Sequence, residues 1–182
     1  RFSIFMALLN FASAISSSLV AVYLLRYIGF NYLTYMVIIS AGGGFALVSL
    51  AFWGKFADKY GNYKVLGITT MMIPIVPILW ILNHSPTYLI LVPFVIHNIA
   101  LAGFGLASTN FVYDNVNVRQ RGLMISYHNL LSGIGVFLGA GLGALLIKYF
   151  KFTFMEPLFA IFILSAVLMI VVVFWWIPEL KE

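Results

Sequence analysis

Apolar runs dominate this chain, and short clusters of charge, proline or Asn/Gly interrupt them at regular intervals. Cutting at those interruptions leaves six stretches, at 3–25, 33–53, 65–82, 87–112, 123–147 and 154–177. Each is close to the roughly 20 residues that a helix needs to cross hydrocarbon. Backbone groups in lipid must bond within their own helix or around a closed barrel, and the strict alternation of barrel strands is absent from the sequence. The pattern therefore predicts an all-α integral membrane protein with six transmembrane helices. None of the five acids and ten bases falls in the middle of a stretch.

Composition agrees: 63% of the 182 residues are hydrophobic, 8% are charged, and the mean hydropathy is +1.07. A water-soluble domain carries about 25% charged residues, so that class is excluded. With no cysteine, thiol catalysis, disulfides and cysteine-held metals are excluded as well. The +5 net charge does not point to nucleic acid, because its bases are scattered among loops. They report orientation instead. Arg1, Lys55, Lys59, Lys64, Arg119, Arg121 and Lys181 fall on one side; Arg26, Lys148 and Lys151 fall on the other. This bias puts both termini in the cytoplasm and predicts a multi-pass protein of the cell membrane. Trp53, Tyr60, Tyr63, Trp175 and Trp176 then read as an inner interfacial belt, and Tyr27, Tyr32, Trp80, Tyr88 and Tyr149 as an outer one.

Polar content is ordered along the six stretches. The first carries Asn10, Ser13 and Ser16-Ser17-Ser18; the second Gly42-Gly43-Gly44; the third is apolar, with Pro74 and Pro77. The fourth is polar again, with His97, Asn98, Ser108, Thr109 and Asn110; the fifth holds five glycines from Gly133 to Gly143; the sixth has Ser165 as its interior polar residue. The order polar, glycine-rich, apolar thus occurs twice, which predicts a 3+3 inverted repeat, about 1–83 and 84–182, within one six-helix unit. Polar residues avoid lipid and face a cavity, so the first and fourth helices line a path. Small residues allow close packing, which makes the second and fifth helices an interface. The third and sixth become the lipid-facing scaffold.

Helical spacing places Asn10, Ser13 and Ser17 on one face. With His97 and Asn98 they are the candidate path residues; because histidine as a residue type titrates near neutral pH, His97 is a candidate for solute binding or proton carriage. His128, Ser132, Gly135, Gly139 and Gly143 form a second stripe, a groove along which another helix can lie. His128, Asp114, Arg119 and Arg121 are candidate gate residues at the inner boundary, with Asp114 placed to pair with either arginine. No carboxylate lies in the interior of a stretch, so a neutral or amphipathic solute is favoured. No cofactor and no metal site is expected.

Between the second and third stretches stands Gly54-Lys55-Phe56-Ala57-Asp58-Lys59-Tyr60-Gly61-Asn62-Tyr63-Lys64. It resembles the loop signature G-x-x-x-D-[RK]-x-G-x-[RK]-[RK] of the major facilitator superfamily at Gly54, Asp58, Lys59, Gly61 and Lys64, with Tyr63 in place of one basic residue. We expect Gly54 to allow a close approach, Asp58 to offer its carboxylate to helix N-termini, Gly61 to permit a tight turn, and Lys59 and Lys64 to hold the loop in the cytoplasm. The resemblance implies a secondary transporter of twelve helices in two halves, of which this chain is one. Its partners would be a small solute with or without a coupling proton or ion, the bilayer and the missing six-helix half. Entry into a helix directly from Arg1 and the short tail from Pro178 favour the second half.

Two other classes compete. A stand-alone six-helix scaffold, or a half-transporter that dimerises, fits the same pattern. An intramembrane hydrolase would need a nucleophile and base within reach, for which Ser108 and His128 are the available pair. Zinc and ATP chemistry lack their motifs: there is no H-E-x-x-H, and Ser49 stands where a phosphate-binding loop needs glycine.

Overall fold

The computed structural model describes residues 2–149 and 156–176. Among them, six helices are long and apolar enough to cross a membrane: α1 (Phe2–Tyr27), α2 (Tyr32–Tyr60), α3 (Asn62–Leu82), α4 (Pro86–Asn115), α5 (Val118–Tyr149) and α6 (Pro157–Trp176). No strand occurs among the described residues. Arg1, Lys151 and Lys181, the expected helix edges at 154 and 177, and the tail from Pro178 lie outside them.

The helices run past the predicted edges, most visibly in α2. The segment expected to be a loop from Gly54 is helical as far as Tyr60, and Gly61 alone turns the chain into α3, at φ +88°, with its amide donating to the Ala57 carbonyl at 2.7 Å. Charge marks where hydrocarbon ends, whereas lysine and alanine are good helix formers on either side of that boundary.

Three of the six helices are interrupted. α1 breaks into a turn after Ser17 and continues through a π-helical segment, Tyr23–Tyr27. α3 breaks at Ile73–Pro74, where proline removes a backbone donor. α4 has a π-helical segment, Ile90–Phe94, that contains Pro93. Segments of this kind often mark functional sites.

α1 lies parallel to α5, with backbone against backbone. A Cβ built on Gly135, Gly139 or Gly143 would run into the carbonyl oxygens of Ala7, Phe11 and Ile15 in turn. The glycine groove of α5 is therefore filled by α1 of the same unit. α4 packs in the same parallel sense on α2, where Gly42 faces Phe94 and Asn98 and Gly103 faces Trp53; the Trp53 indole N–H donates to the Ile99 carbonyl at 2.9 Å. α6 packs on α1 through Ser165, whose hydroxyl donates to the Ala12 carbonyl at 2.7 Å and lies 2.8 Å from the Ser16 hydroxyl. The pairing pattern is unchanged when the first three helices are exchanged for the last three. α1 on α5 becomes α4 on α2, α1 on α6 becomes α4 on α3, and α3 against α6 maps onto itself.

α3 is the most buried of the six, at 50% over its most apolar window, and α2 and α5 are the least, at 22% and 17%. α3 and α6 each turn one apolar face outward and bury the other against α4, α1 and each other. Trp53, Trp80 and Trp176 are not interfacial anchors but are buried, at 4%, 4% and 6% exposure. The Trp80 ring packs edge-on against Phe94, and the Trp176 ring stacks on Phe5.

Candidate functional site

The breaks in α1, α3 and α4 surround a cavity of about 390 Å³ bounded by α1, α2, α3, α4 and α6. Ser13, Ser16 and Ser17 enter it from α1 and His97 and Asn98 from α4. The run Ser13 to Ala21 gives it a height of about 12 Å at 1.5 Å per residue. Asn10 is half-buried and does not line it, since it sits one turn below Ser13.

Depth separates the lining into two zones. Counting from the helix ends opposite Gly61, Tyr35, Trp80, Phe162 and Phe94 lie roughly 3–12 Å in, while Ser17, Ser13, His97 and Asn98 lie roughly 15–21 Å in. The first zone is an aromatic end; the second is a polar floor near the middle of the helices. Bonding within the protein decides which polar groups are free. Ser16 is committed to the Ser13 carbonyl and Ser165. The Asn98 amide N–H donates to the Phe94 carbonyl at 2.9 Å, which leaves its Oδ1 as an acceptor. His97 Nδ1 is buried with no partner. At the aromatic end, the Tyr23 hydroxyl donates to the Trp80 carbonyl at 2.7 Å and joins α1 to α3. Tyr27, His84 and Phe159 pack beyond it, with the His84 and Phe159 rings stacked at 5.7 Å.

The opposite end carries the candidate gate residues. Asp114 makes no ion pair with Arg119 or Arg121 among the described residues; its carboxylate accepts from Asn62 Nδ2 at 3.0 Å. Asn62 Oδ1 in turn accepts from Asn110 at 3.1 Å, so one side chain at the start of α3 ties two positions a turn apart on α4. Asn62 fills an unspecified position of the motif, so no residue-type signal marked it. Arg121 instead donates to the Val116 carbonyl at 3.3 Å and lies over the Tyr113 ring at 5.5 Å. His128 stacks on Phe2 at 5.7 Å, between α5 and α1.

The motif's own residues divide. Gly61 makes the turn described above. Gly54 has open space where a Cβ would stand, so the expected close approach is not there; it occurs at Gly42 and Gly103 instead. Asp58 is exposed in the last turn of α2, without a hydrogen bond among the described residues. Lys59 and Lys64 flank the Tyr60 ring at 5.1 and 5.4 Å. Ser108, the nucleophile of the rival hydrolase reading, donates to the Phe104 carbonyl of its own helix and faces the Met6 sulfur at 3.8 Å. Its hydroxyl is thus turned into helix packing.

Residues 2–182 match the family model described as Major Facilitator Superfamily. The chain belongs to the major facilitator superfamily. A search among curated proteins gave no significant relative. Membership makes this a multi-pass membrane protein of a transporter family, whose members carry small solutes across membranes. Six helices correspond to half of such a transporter.

Proposed function

We propose that this chain is one six-helix half of a secondary active transporter that moves a small solute by alternating access, with the cavity as its share of the solute path. The observation that carries this reading is the convergence of Ser13 and Ser17 from α1 with His97 and Asn98 from α4 at one depth, in a cavity bordered by helix breaks. Polar groups placed mid-membrane on broken helices suit a site that must bind and release. In this reading the Gly61 turn and both termini are cytoplasmic, repeats of about 1–83 and 84–182 form the half, and α2 and α5 meet the other half. Asp58, exposed at the end of α2, is the group we assign to contacts that form across the halves.

Because the chain has no cysteine, a single Ser17→Cys substitution gives a unique reporter within it. In the full-length protein on a background free of other cysteines, a membrane-impermeant maleimide should reach Ser17→Cys from either side of the membrane, with solute shifting the balance. Labelling from one side alone, with and without solute, would refute alternating access at this cavity.

A further inference from the structure

We propose that the cavity takes an uncharged amphipathic solute that places an apolar ring at the aromatic end and hydroxyl or amide groups on the polar floor. The proposal rests on the cavity being the solute site and adds the chemistry of what binds there. Among the described residues no Asp, Glu, Lys or Arg lines it. The nearest charge along α1 is Arg26, nine residues beyond Ser17 and about 14 Å away along the helix. An ionised solute brought to mid-membrane would lose its hydration with no opposite charge on this half's wall to replace it, a cost far greater than for a neutral polar group that finds a hydrogen bond.

The two zones then fix orientation. Trp80 and Phe94 meet edge to face at 5.3 Å, and with Tyr35 and Phe162 they offer rings against which a flat apolar group gains contact beyond its buried area. One zone deeper, the free groups lean towards acceptance. Asn98 uses one of its two amide hydrogens on Phe94 and presents Oδ1 as an acceptor, and the hydroxyls of Ser13 and Ser17 both donate and accept. His97 lines the same cavity and its buried Nδ1 has no hydrogen-bond partner. A solute that donates from several hydroxyl or amide groups satisfies this floor. A simple hydrocarbon would leave it unpaired. The titratable groups facing the cavity are His97 and Tyr35.

The test uses three probes of one shape: para-nitrophenyl β-glucoside, which is neutral, the corresponding glucuronide, an anion, and the glucosaminide with its free amine, a cation. The nitrophenyl ring quenches tryptophan emission, and Trp80 lines the cavity, so binding to full-length protein in liposomes reads out as saturable quenching that Trp80→Phe removes. The glucoside should bind, Ser17→Ala and His97→Gln should each weaken it about tenfold, and both charged probes should bind about tenfold more weakly or worse. Should His97→Gln fail to fold, Ser17→Ala carries the test alone. A charged probe that binds as well as the glucoside through Trp80 and Ser17 overturns the solute class and leaves the cavity as the site. Quenching indifferent to both Ser17 and His97, or absent with all three probes, overturns the site itself.

Discussion

A single glycine hydrogen decides how closely α1 can lie on α5. At Gly139 an added methyl would collide with the Phe11 carbonyl, which belongs to backbone and cannot rotate away, whereas at Gly141, two residues on, it would enter open space. Overpacking a tight contact costs about 1–3 kcal/mol. Gly139→Ala should therefore lower thermal stability in detergent by that order, while Gly67→Ala on α3, where an added methyl also meets open space, should leave it unchanged or raise it slightly, since alanine is the better helix former. Equal melting temperatures for the two variants would show that the helices are not in backbone contact. The same scale separates what sequence could reveal at the cavity. Ser13, Ser17, His97 and Asn98 were legible because a polar residue in an apolar run stands out and needs a reason. Tyr35, Trp80, Phe94 and Phe162 were not, because an aromatic residue among Leu and Ile carries no contrast until the fold shows which face it takes. Trp80 illustrates this: near a helix end it suits an interfacial belt as well as a cavity wall, and only packing against Phe94 decides between them.

At the scale of whole helices, hydrophobic runs gave number and order, and missed where each helix stops. The runs report the hydrocarbon slab, and α2 continues beyond it to Tyr60 because nothing before Gly61 breaks a helix. That continuation brings the start of α3 beside the end of α4, where Asn62 joins Asp114 and Asn110. The linkage ties α3 to α4 at the end that opens in one state of the proposed alternating-access cycle, so its loss should act on switching and not on the distant cavity. Asn62→Ala removes both bonds, each worth about 1 kcal/mol net, and should slow solute transport about fivefold with little change in solute affinity. Asp58→Asn should likewise impair switching more than affinity if its carboxylate works across the halves. Transport assays with paired binding measurements check both; a rise in the dissociation constant at an unaltered maximal rate would contradict the assignment.

For the whole unit, the exchange symmetry of the helix pairing explains which surfaces are left over. α1 and α4 each have two close neighbours, on α5 and α6 and on α2 and α3, and so α2 and α5 remain with most of their surface free. The free faces are not featureless. On α5, Gly133, Phe137 and Gly141 follow one another at steps of four, with open space at both glycines and Phe137 77% exposed; on α2, Gly44 is likewise open and Val48, one turn on, is 75% exposed. Small residues alternating with large ones suit a facing helix better than lipid, because close approach rewards van der Waals packing that lipid tails supply anywhere. On α6, Phe174 is 71% exposed on a helix with no glycine between Pro157 and Trp176, as expected of a lipid face. A spin label at Val48→Cys or Phe137→Cys in the full-length protein should therefore collide rarely with dissolved oxygen, which concentrates in lipid, while one at Phe174→Cys should collide often. If all three labels report lipid, α2 and α5 have no partner half, and a six-helix unit standing alone becomes the better account of this chain.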